Sequence, residues 1–210
     1  MRGKHRLVVA KPILVSEMTK FLTWLIFAAW LLPMAAGADQ QLAKGKLLVA
    51  SEFVAGEVFA KTVILLLHYD ETGAMGLVVN RPTEVEPGEI LPDVEAISGY
   101  SGTLYWGGPV RMDSLRALLR ADTPPEGAQE AVDSVYLLPL DDALKDVPMD
   151  PASLHFFIGY AGWSAGQLER EMGRGDWLVV PASDELVFAE DPGLLWERLT
   201  PVNEYRAAVD

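Results

Sequence analysis

The strongest constraint on the fold is a pair of apolar segments that a short polar turn separates. The first, Thr62–His68, is Thr-Val-Ile-Leu-Leu-Leu-His, and the second, Met75–Asn80, is Met-Gly-Leu-Val-Val-Asn. Neither alternates with polar residues, and such aliphatic and β-branched runs are typical of strands buried on both faces. The turn Asp70–Gly73 between them predicts a β-hairpin, although a loop of this length leaves the register open. Pro82 ends the second strand because it has no backbone N–H to donate.

The rest of the chain predicts short strands and short helices without regular strand–helix–strand alternation. This pattern favours an α+β fold: a single domain built on a mixed, mostly antiparallel β-sheet with short helices packed around it. Residues 122–131 contain paired prolines and are predicted to be a loop. The other predicted strands are Lys46–Ala50, Thr103–Trp106, Ser134–Leu138, Ser153–Tyr160 and Trp177–Val180, and the predicted helices are Glu89–Leu91, Asp141–Lys145, Ala165–Met172 and Asp191–Leu199.

The charge of the chain is distributed unevenly. The 210 residues contain 17 basic and 30 acidic side chains, which gives a net charge of −13 at pH 7. Residues 1–38 hold five of the basic groups and one acidic group, so residues 39–210 keep 12 basic and 29 acidic groups and a net charge of −17. Such a body repels the phosphate backbone of nucleic acids, whose binding depends on cationic contacts. We therefore expect no direct nucleic-acid partner.

The N-terminal 38 residues have the pattern of an export signal. Residues 21–32 form a 12-residue apolar run, which is shorter than the roughly 20 residues of a membrane-spanning helix. Ala36-Gly37-Ala38 then supplies the small residues that a signal peptidase requires. We predict that 1–38 is a signal peptide, with Met18 as an alternative start, and that 39–210 is a periplasmic or secreted domain. The alternatives are a cytoplasmic protein and an uncleaved anchor, and membrane contact is expected only through this segment.

Three glycine-containing stretches give the chain its most specific signature. They are Gly73–Pro82 (Gly-Ala-Met-Gly-Leu-Val-Val-Asn-Arg-Pro), Gly107–Val110 (Gly-Gly-Pro-Val) and Gly159–Trp163 (Gly-Tyr-Ala-Gly-Trp). In this order and spacing, over residues 45–196, the chain resembles the YqgE/AlgH family of bacterial proteins. The resemblance implies a protein without a settled biochemical activity and a label of transcriptional regulator tied to alginate synthesis. It also implies a cytosolic location, which the predicted export signal opposes.

The chain departs from the pattern of this family in two stretches. Where the family has an aromatic-rich segment that ends in histidine, residues 111–118 contain no histidine. The polar threonine and serine stretch of the family is replaced by Leu-Leu-Pro-Leu at 137–140. The family pattern also implies a strand at Leu115–Arg120, where the leucine spacing suits one face of a helix, and both interpretations stay open.

Gly162–Gly166 is Gly-Trp-Ser-Ala-Gly, which matches the G-x-S-x-G of a nucleophile elbow. A hydrolase would use Ser164 as the nucleophile. The order of residues opposes this, because an α/β-hydrolase needs an acid and a histidine after the serine, and the last histidine, His155, precedes it. The alternative is that Ser164 and Gln167 form a capping box at the start of a helix, each side chain accepting the backbone N–H of the other.

Other polar groups carry weaker signals. His68 precedes Asp70, and such a pair can act as acid and base or bind a metal, but isolated strand histidines are more often packing residues. Residues 39–210 contain only His68 and His155, with no close histidine pair, and the chain has no cysteine. We therefore assign no catalytic residue, no metal site and no cofactor. The glycines of Gly159–Gly162 could hold an anion at a helix N-terminus, although tight packing explains them equally well.

A candidate ligand cleft is predicted at the ends of the central strands. The guanidinium of Arg81 could bind a ligand carboxylate or phosphate, or could pair with an acid such as Glu84 and hold the loop. Glycines let the backbone approach a partner closely, and Trp163 offers a flat apolar wall. The alternative is that the glycines relieve crowding in the sheet and Trp163 fills the core. The predicted cleft residues are Asn80, Arg81, Gly107, Gly108 and Trp163.

These observations predict a non-catalytic binding or regulatory module. Its expected partner is an unidentified small anionic ligand or a protein. The alternatives are a hydrolase that uses the glycine-lined cleft and an envelope interaction protein.

Overall fold

The predicted hairpin lies within a curled, nine-stranded β-sheet. The computed structural model describes residues 41–54, 56–90, 97, 99–139, 144 and 147–200. The strands are β1 (Lys46–Ala50), β2 (Val63–Asp70), β3 (Gly73–Val78), β4 (Leu104–Trp106), β5 (Val110–Arg120), β6 (Gln129–Val132), β7 (Val135–Leu138), β8 (Leu154–Ser164) and β9 (Trp177–Pro181). The helices are α1 (Pro87–Ile90), α2 (Gln167–Arg174), α3 (Asp184–Val187) and α4 (Leu195–Leu199), and a 3₁₀ turn (Pro192–Leu194) precedes α4.

The sheet is mixed and mostly antiparallel. Its strand order is β6-β7-β5-β8-β3-β2-β1-β9, and β4 pairs with β8 outside this order. The pairing of β4 with β8 is parallel, and the other described pairings are antiparallel. A Cβ atom at Gly45 would lie 3.1 Å from the carbonyl oxygen of Ala131, so the start of β1 lies against β6. The predicted α+β fold on a mixed, mostly antiparallel sheet is confirmed.

The hairpin is tighter than the sequence indicates. β2 and β3 stay paired until Asp70 lies opposite Gly73, which leaves a turn of two residues. Asp70 Oδ1 accepts hydrogen bonds from the backbone N–H and the hydroxyl of Thr72, at 2.8 Å and 2.6 Å. Gly73 has a φ of 142°, which glycine adopts readily. The turn therefore depends on a local side-chain bond that the apolar pattern does not reveal.

The structure decides one open element and corrects several predicted ones. Leu115–Arg120 is the end of the long strand β5, because β7 and β8 pair with it on both sides. The predicted loop 122–131 ends in strand β6, which carries polar residues and lies at one edge of the sheet. The predicted last helix begins as the 3₁₀ turn before α4. The predicted helix Asp141–Lys145 lies outside the described residues apart from Leu144.

The core consists of two apolar clusters. The larger cluster contains the central strands β1–β3 together with residues of α2, α3, α4 and β9. The smaller cluster packs on β5 and β8 and includes Tyr100, Leu104 and Phe156. β1 after Lys46 and the first half of β2 are buried throughout, as continuous apolar runs predict. The domain boundaries 1–38 and 39–210 stay a prediction, because 1–38 lies outside the described residues.

Candidate functional site

An open groove of about 400 Å³ lies across β2, β3 and β8. The residues that line it include His68, Thr72, Met75, Val110, Tyr160 and Gly162. The strand register explains why they meet, since Met75 of β3 lies between His68 of β2 and Gly162 of β8. Side chains of cross-strand neighbours share a face of the sheet. The groove therefore joins three strands that are distant in sequence.

The groove occupies the face of these strands that is turned away from helix α2. The adjacent row of the sheet, Tyr69, Ala74 and Trp163, points to the opposite face. There Tyr69 and Trp163 bond to acids of α2, with Tyr69 donating to Glu169 and Trp163 donating to Glu171, both at 2.8 Å. Helix α2 thus covers one face and leaves the other open.

Gly162 lies beside two side chains that line the groove. A Cβ atom at this position would lie 3.2 Å from Cε2 of Tyr160 and 3.7 Å from Cγ2 of Val110. The Tyr160 ring and the Val110 side chain therefore already lie against Gly162, and a side chain at position 162 would press on the ring.

His68 and Asp70 form a polar pair at one end of the groove. His68 Nε2 lies 3.0 Å from Asp70 Oδ2, and the His68 side chain is 53% exposed. The hydroxyl and backbone hydrogen bonds from Thr72 lower the pKa of Asp70, so its carboxylate form is favoured. The pair is held in place by the hairpin turn.

Arg116 packs on Tyr160 but lines a separate cavity, together with Leu137 and Pro139. The guanidinium carbon of Arg116 lies 5.5 Å from the centroid of the Tyr160 ring. Arg116 donates to the carbonyl of Leu115 and to Ser114 Oγ, and no carboxylate of the described residues lies within ion-pair distance of it. Nearby Arg111 instead pairs with Asp113 at 3.0 Å.

Asn80 and Arg81, two of the predicted cleft residues, bind the loop between β1 and β2. Asn80 is buried, accepts the Val63 N–H at 2.8 Å and donates to the Lys61 carbonyl at 2.9 Å. Arg81 donates to the Val58 carbonyl at 2.6 Å and to that of Ala60, and burial lowers the pKa of its guanidinium. Its guanidinium carbon also lies 5.0 Å from the centroid of the Trp106 ring.

The predicted cleft glycines pack against the backbone of β8. A Cβ at Gly107 would lie 2.5 Å from the Gly159 carbonyl oxygen, and one at Gly108 would lie 2.2 Å from the Tyr160 carbonyl carbon. Trp163 borders the groove, but its indole ring is 7% exposed and packs against that of Trp177. The structure therefore gives each of the five cleft residues a contact within the fold, and their role in ligand binding stays a prediction.

Ser164 is not the N-cap of α2, which corrects the capping-box prediction. The N-cap is Gly166, with a φ of 70°. Gln167 Oε1 accepts both the backbone N–H and the hydroxyl of Ser164 at 3.2 Å, which is half of the predicted pair of bonds. Ser164 on β8 and His68 on β2 are separated by β3, so they lie two strand spacings apart, roughly 10 Å. A direct nucleophile–base hydrogen bond between them is excluded by this distance.

His155 is a core residue, which agrees with the interpretation that isolated strand histidines are packing residues. It is 8% exposed and lies between the rings of Tyr105 and Phe188, with centroid distances of 4.7 and 4.4 Å. Burial lowers the pKa of its imidazole to about 4, so the ring is neutral at physiological pH. Its Nδ1 atom has no hydrogen-bond partner among the described residues.

The sequence indicated parts of the groove but not the groove itself. His68 and the glycines of Gly159–Gly162 were singled out separately, because each interrupts an apolar strand. Met75 gave no signal, since it belongs to a strand pattern that packing explains. Only the register of β2, β3 and β8 joins His68, Met75 and Gly162.

The described part of the chain contains neither a metal-binding cluster nor a membrane-spanning helix. Across residues 41–200, apart from the gaps given above, histidines and acids form no group of three or more that could hold a metal ion. In the same part of the chain, no helix has the length and apolar character needed to cross a bilayer.

The fold and the groove define a class: a single α+β domain with a curled, mostly antiparallel sheet and an open groove on one sheet face. Residues 47–203 match the model of the AlgH-like family, DUF179. The chain belongs to this AlgH-like family. The three glycine stretches that carry the resemblance in the sequence all lie in the matched range.

Curated relatives agree with this family. A UPF0301 protein of Streptomyces coelicolor is 35% identical over 161 residues, which cover 74% of this chain and 83% of the relative. A UPF0301 protein of Chlorobium limicola is 34% identical over 162 residues, covering 75% of this chain and 85% of the relative. Neither name states a biochemical activity.

Solved structures agree with the fold. The solution structure of the AlgH protein from Pseudomonas aeruginosa is 29% identical, with a TM-score of 0.63, and the match covers 81% of this chain and 97% of that one. The crystal structure of protein DIP2367 from Corynebacterium diphtheriae has a TM-score of 0.68 at 24% identity, covers 80% and 92% of the two chains, and supports the fold alone.

Proposed function

We propose that the protein is a non-catalytic binding module whose ligand occupies the groove across β2, β3 and β8. The observation that carries this proposal is the groove itself, where one sheet face is left open beside a buried core. Leu77 of β3 is fully buried, and two residues earlier on the same face Met75 lines the groove. An apolar floor with a few convergent polar groups is the usual composition of a ligand site.

The lining supports binding more than turnover. The His68–Asp70 pair supplies a hydrogen-bonding end, and Tyr160, Met75 and Val110 supply an apolar wall. Ser164 has its hydroxyl bonded to Gln167 and lies roughly two strand spacings from His68. A regulatory role would act through ligand or protein binding, because the net charge of −17 on residues 39–210 opposes DNA contact.

Fragment screening by NMR tests the proposal. We expect fragments that bind to the wild-type protein to shift the resonances of Met75, His68 and Gly162. The Gly162→Val variant adds a side chain against Tyr160 and Val110, and we expect it to weaken fragment binding at least tenfold. Gly173→Ala is the matched control, since a Cβ there meets no atom within 4 Å. Fragments that instead shift only Arg81 and Trp106 would overturn the groove and favour the predicted cleft.

The hydrolase alternative is supported by one observation, the Asp-oriented His68 imidazole at the open end of the groove. A panel of ester, phosphate and peptide substrates, compared between wild type, Ser164→Ala and His68→Ala, separates the two functions. The binding proposal predicts no turnover by any of the three proteins. Turnover that both folded variants lose would establish the hydrolase.

We also propose that the mature protein is exported and starts at Asp39, which is compatible with an envelope interaction partner. The apolar run at 21–32 and the small residues before Asp39 support this cleavage. N-terminal sequencing of protein from separated cell fractions tests it. An intact Met1 or Met18 in the cytosol would refute export, and the same intact end in membranes would indicate an anchor.

A further inference from the structure

We propose that a second ligand site, for a small aliphatic monocarboxylate, lies beside β5 where strand β7 ends. The site is a cavity of about 280 Å³, separate from the groove across β2, β3 and β8. Arg116 binds the carboxylate, and the leucine side chains around it bind the aliphatic part. This inference goes beyond the proposed function, because it concerns another site and another ligand.

The cavity exists because β5 and β7 differ in length. β7 pairs with β5 only from Ala117 to Arg120, and Pro139, which follows β7, has no N–H with which to continue the pairing. The loop before β6 closes the far side, since a Cβ atom at Gly127 would lie 3.5 Å from Cγ of Pro139. The space next to Leu115 is therefore left without a strand.

The guanidinium of Arg116 is held at this open edge of β5. Leu115 lies opposite Ile158 of β8, and the Ile158 carbonyl accepts the Gly107 N–H at 2.8 Å, on the side of β8 away from β5. Residues of such a non-hydrogen-bonded pair turn their backbone groups away from each other. The Leu115 carbonyl consequently faces the side that β7 leaves vacant, and there it accepts Nη1 of Arg116 at 2.8 Å.

The edge of the guanidinium that suits a carboxylate is not used within the fold. The described hydrogen bonds of Arg116, to the Leu115 carbonyl and to Ser114 Oγ, both come from Nη1. Nε and Nη2 have no partner among the described residues, and two parallel N–H groups of a guanidinium form a forked bond with one carboxylate. Arg116 is also the one charged side chain among the described residues that line the cavity.

The rest of the lining selects a small ligand with an apolar part and a single charge. Leu115, Leu137 and Leu138 give apolar surface on which methylene groups can be buried, and Gln129 adds one amide. A volume of about 280 Å³ lies just below the roughly 300–1,000 Å³ of ordinary small-molecule sites, so the apolar part is short. A dianion would be repelled by the net charge of −17 on residues 39–210.

Three probe molecules separate the charge from the aliphatic part. Pentanoate has both, pentanamide has nearly the same shape without the charge, and acetate has the charge without the chain. Binding to the full chain is measured by NMR titration, with the backbone resonances of Gly127, Gln129 and Leu137 as reporters. We expect pentanoate to bind at least tenfold more tightly than either of the other two, because only pentanoate uses both the forked bond and the apolar surface.

A fourth probe distinguishes the two sources of such a carboxylate. N-acetylleucine carries the carboxylate next to an amide, as the C-terminal residue of a chain does, whereas pentanoate represents a free acid. Tighter binding of N-acetylleucine at the same reporters supports a chain terminus as the ligand, and tighter binding of pentanoate supports a free acid. Either order supports the site.

Two variants connect these preferences with residues. Arg116→Gln is expected to abolish the preference for pentanoate over pentanamide, and Leu137→Ala is expected to weaken pentanoate while leaving acetate unchanged. Arg111→Gln is the matched control, since Arg111 lies on the same strand, is 64% exposed and pairs with Asp113 at 3.0 Å. This control should bind all the probes as wild type does.

The wild-type probe series does not depend on how well the variants fold. Equal affinity for pentanoate and pentanamide would overturn the anion, and equal affinity for pentanoate and acetate would overturn the aliphatic part. Shifts confined to His68 and Met75, or no binding of any carboxylate at tens of millimolar, would overturn the second site. The groove is judged by other resonances and other ligands, so the proposed function stands or fails separately.

Discussion

His155 is a residue whose protonation state is coupled to folding. Burial among Tyr105, Phe157 and Phe188 lowers the pKa of its imidazole from 6.5 to about 4. Between these two values the unfolded chain binds a proton that the folded chain does not, so the free energy of unfolding decreases as the pH falls. The stability associated with the neutral His155 imidazole is therefore fully present above pH 6.5, and it is lost progressively as the pH falls toward 4.

We predict that His155→Leu removes up to about 3 kcal/mol from the pH dependence of stability between pH 7.5 and pH 4. The measurement is urea unfolding of wild type and variant at several pH values in this range. Phe156→Leu, a core substitution in the same strand that removes no titratable group, is the control and should keep the wild-type slope. A slope for His155→Leu equal to that of wild type would contradict the prediction.

Asn80 fixes the loop before β2 through both ends of its side-chain amide. We predict that Asn80→Ala lowers the free energy of unfolding by about 2 kcal/mol, because the Val63 N–H and the Lys61 carbonyl then lose their partners. Asn80→Asp keeps the acceptor for the Val63 N–H. We expect this variant to be less destabilised at acidic pH than at neutral pH, because only the protonated carboxyl group can donate to the Lys61 carbonyl. Chemical unfolding measures both. A cost below about 0.5 kcal/mol for Asn80→Ala would show that the loop is held by other contacts.

At the scale of elements, a single carboxylate connects helix α2 to the sheet. Glu171 Oε2 accepts the indole N–H groups of Trp163 and Trp177, both at 2.8 Å, and Oε1 accepts Gln167 at 3.0 Å. Trp163 belongs to β8 and Trp177 to β9, which lie at different positions in the strand order. The helix therefore holds two separated parts of the sheet through one side chain.

We predict that Glu171→Ala destabilises the fold by about 3 kcal/mol, because two partly buried indole N–H groups lose an ionised acceptor. Indole fluorescence should change with it, since both rings lose the adjacent charge. Glu169→Ala is the matched control on the same helix, and its exposed bond to Tyr69 makes a cost below about 1 kcal/mol the expected result. Equal costs for the two variants would contradict the role of Glu171.

The elements also show what the sequence could and could not predict. The central hairpin and β1 were predictable because continuous apolar runs buried on both faces have a strong pattern. Strand β6 was missed because Gln129 and Glu130 are exposed at a sheet edge, where little apolar area is buried. Helix α3 is too short for a periodic pattern, although Ser183 caps it by accepting the Leu186 N–H.

The groove could not be predicted because it depends on strand order. Gly73 lies opposite Ser164, so β3 pairs with a strand that follows it by more than 80 positions in the sequence. No local pattern identifies such a partner. Arg81 and Trp163 were selected by residue type, and their carbonyl and carboxylate partners appear only in three dimensions.

At the scale of the whole molecule, the charge imbalance should make stability depend on salt. With 12 basic and 29 acidic groups in residues 39–210, like charges repel in the folded state more than in the expanded unfolded state. We predict that raising NaCl from 20 to 300 mM increases the melting temperature by about 2–4 °C, as expected for about 1 kcal/mol of screening. KCl at equal ionic strength is the control and should give the same rise. A melting temperature that falls with salt would contradict the prediction.

The late position of β8 in the chain has a consequence for biosynthesis. β8 pairs with β3, β4 and β5, all of which are translated before it. Until residue 164 has been synthesised, these earlier strands present unpaired edges to other nascent chains. Growing chains of this protein should therefore need protection from aggregation for most of their translation. The arrival of β8 also completes the groove, so a product truncated before residue 154 lacks one of its three strands.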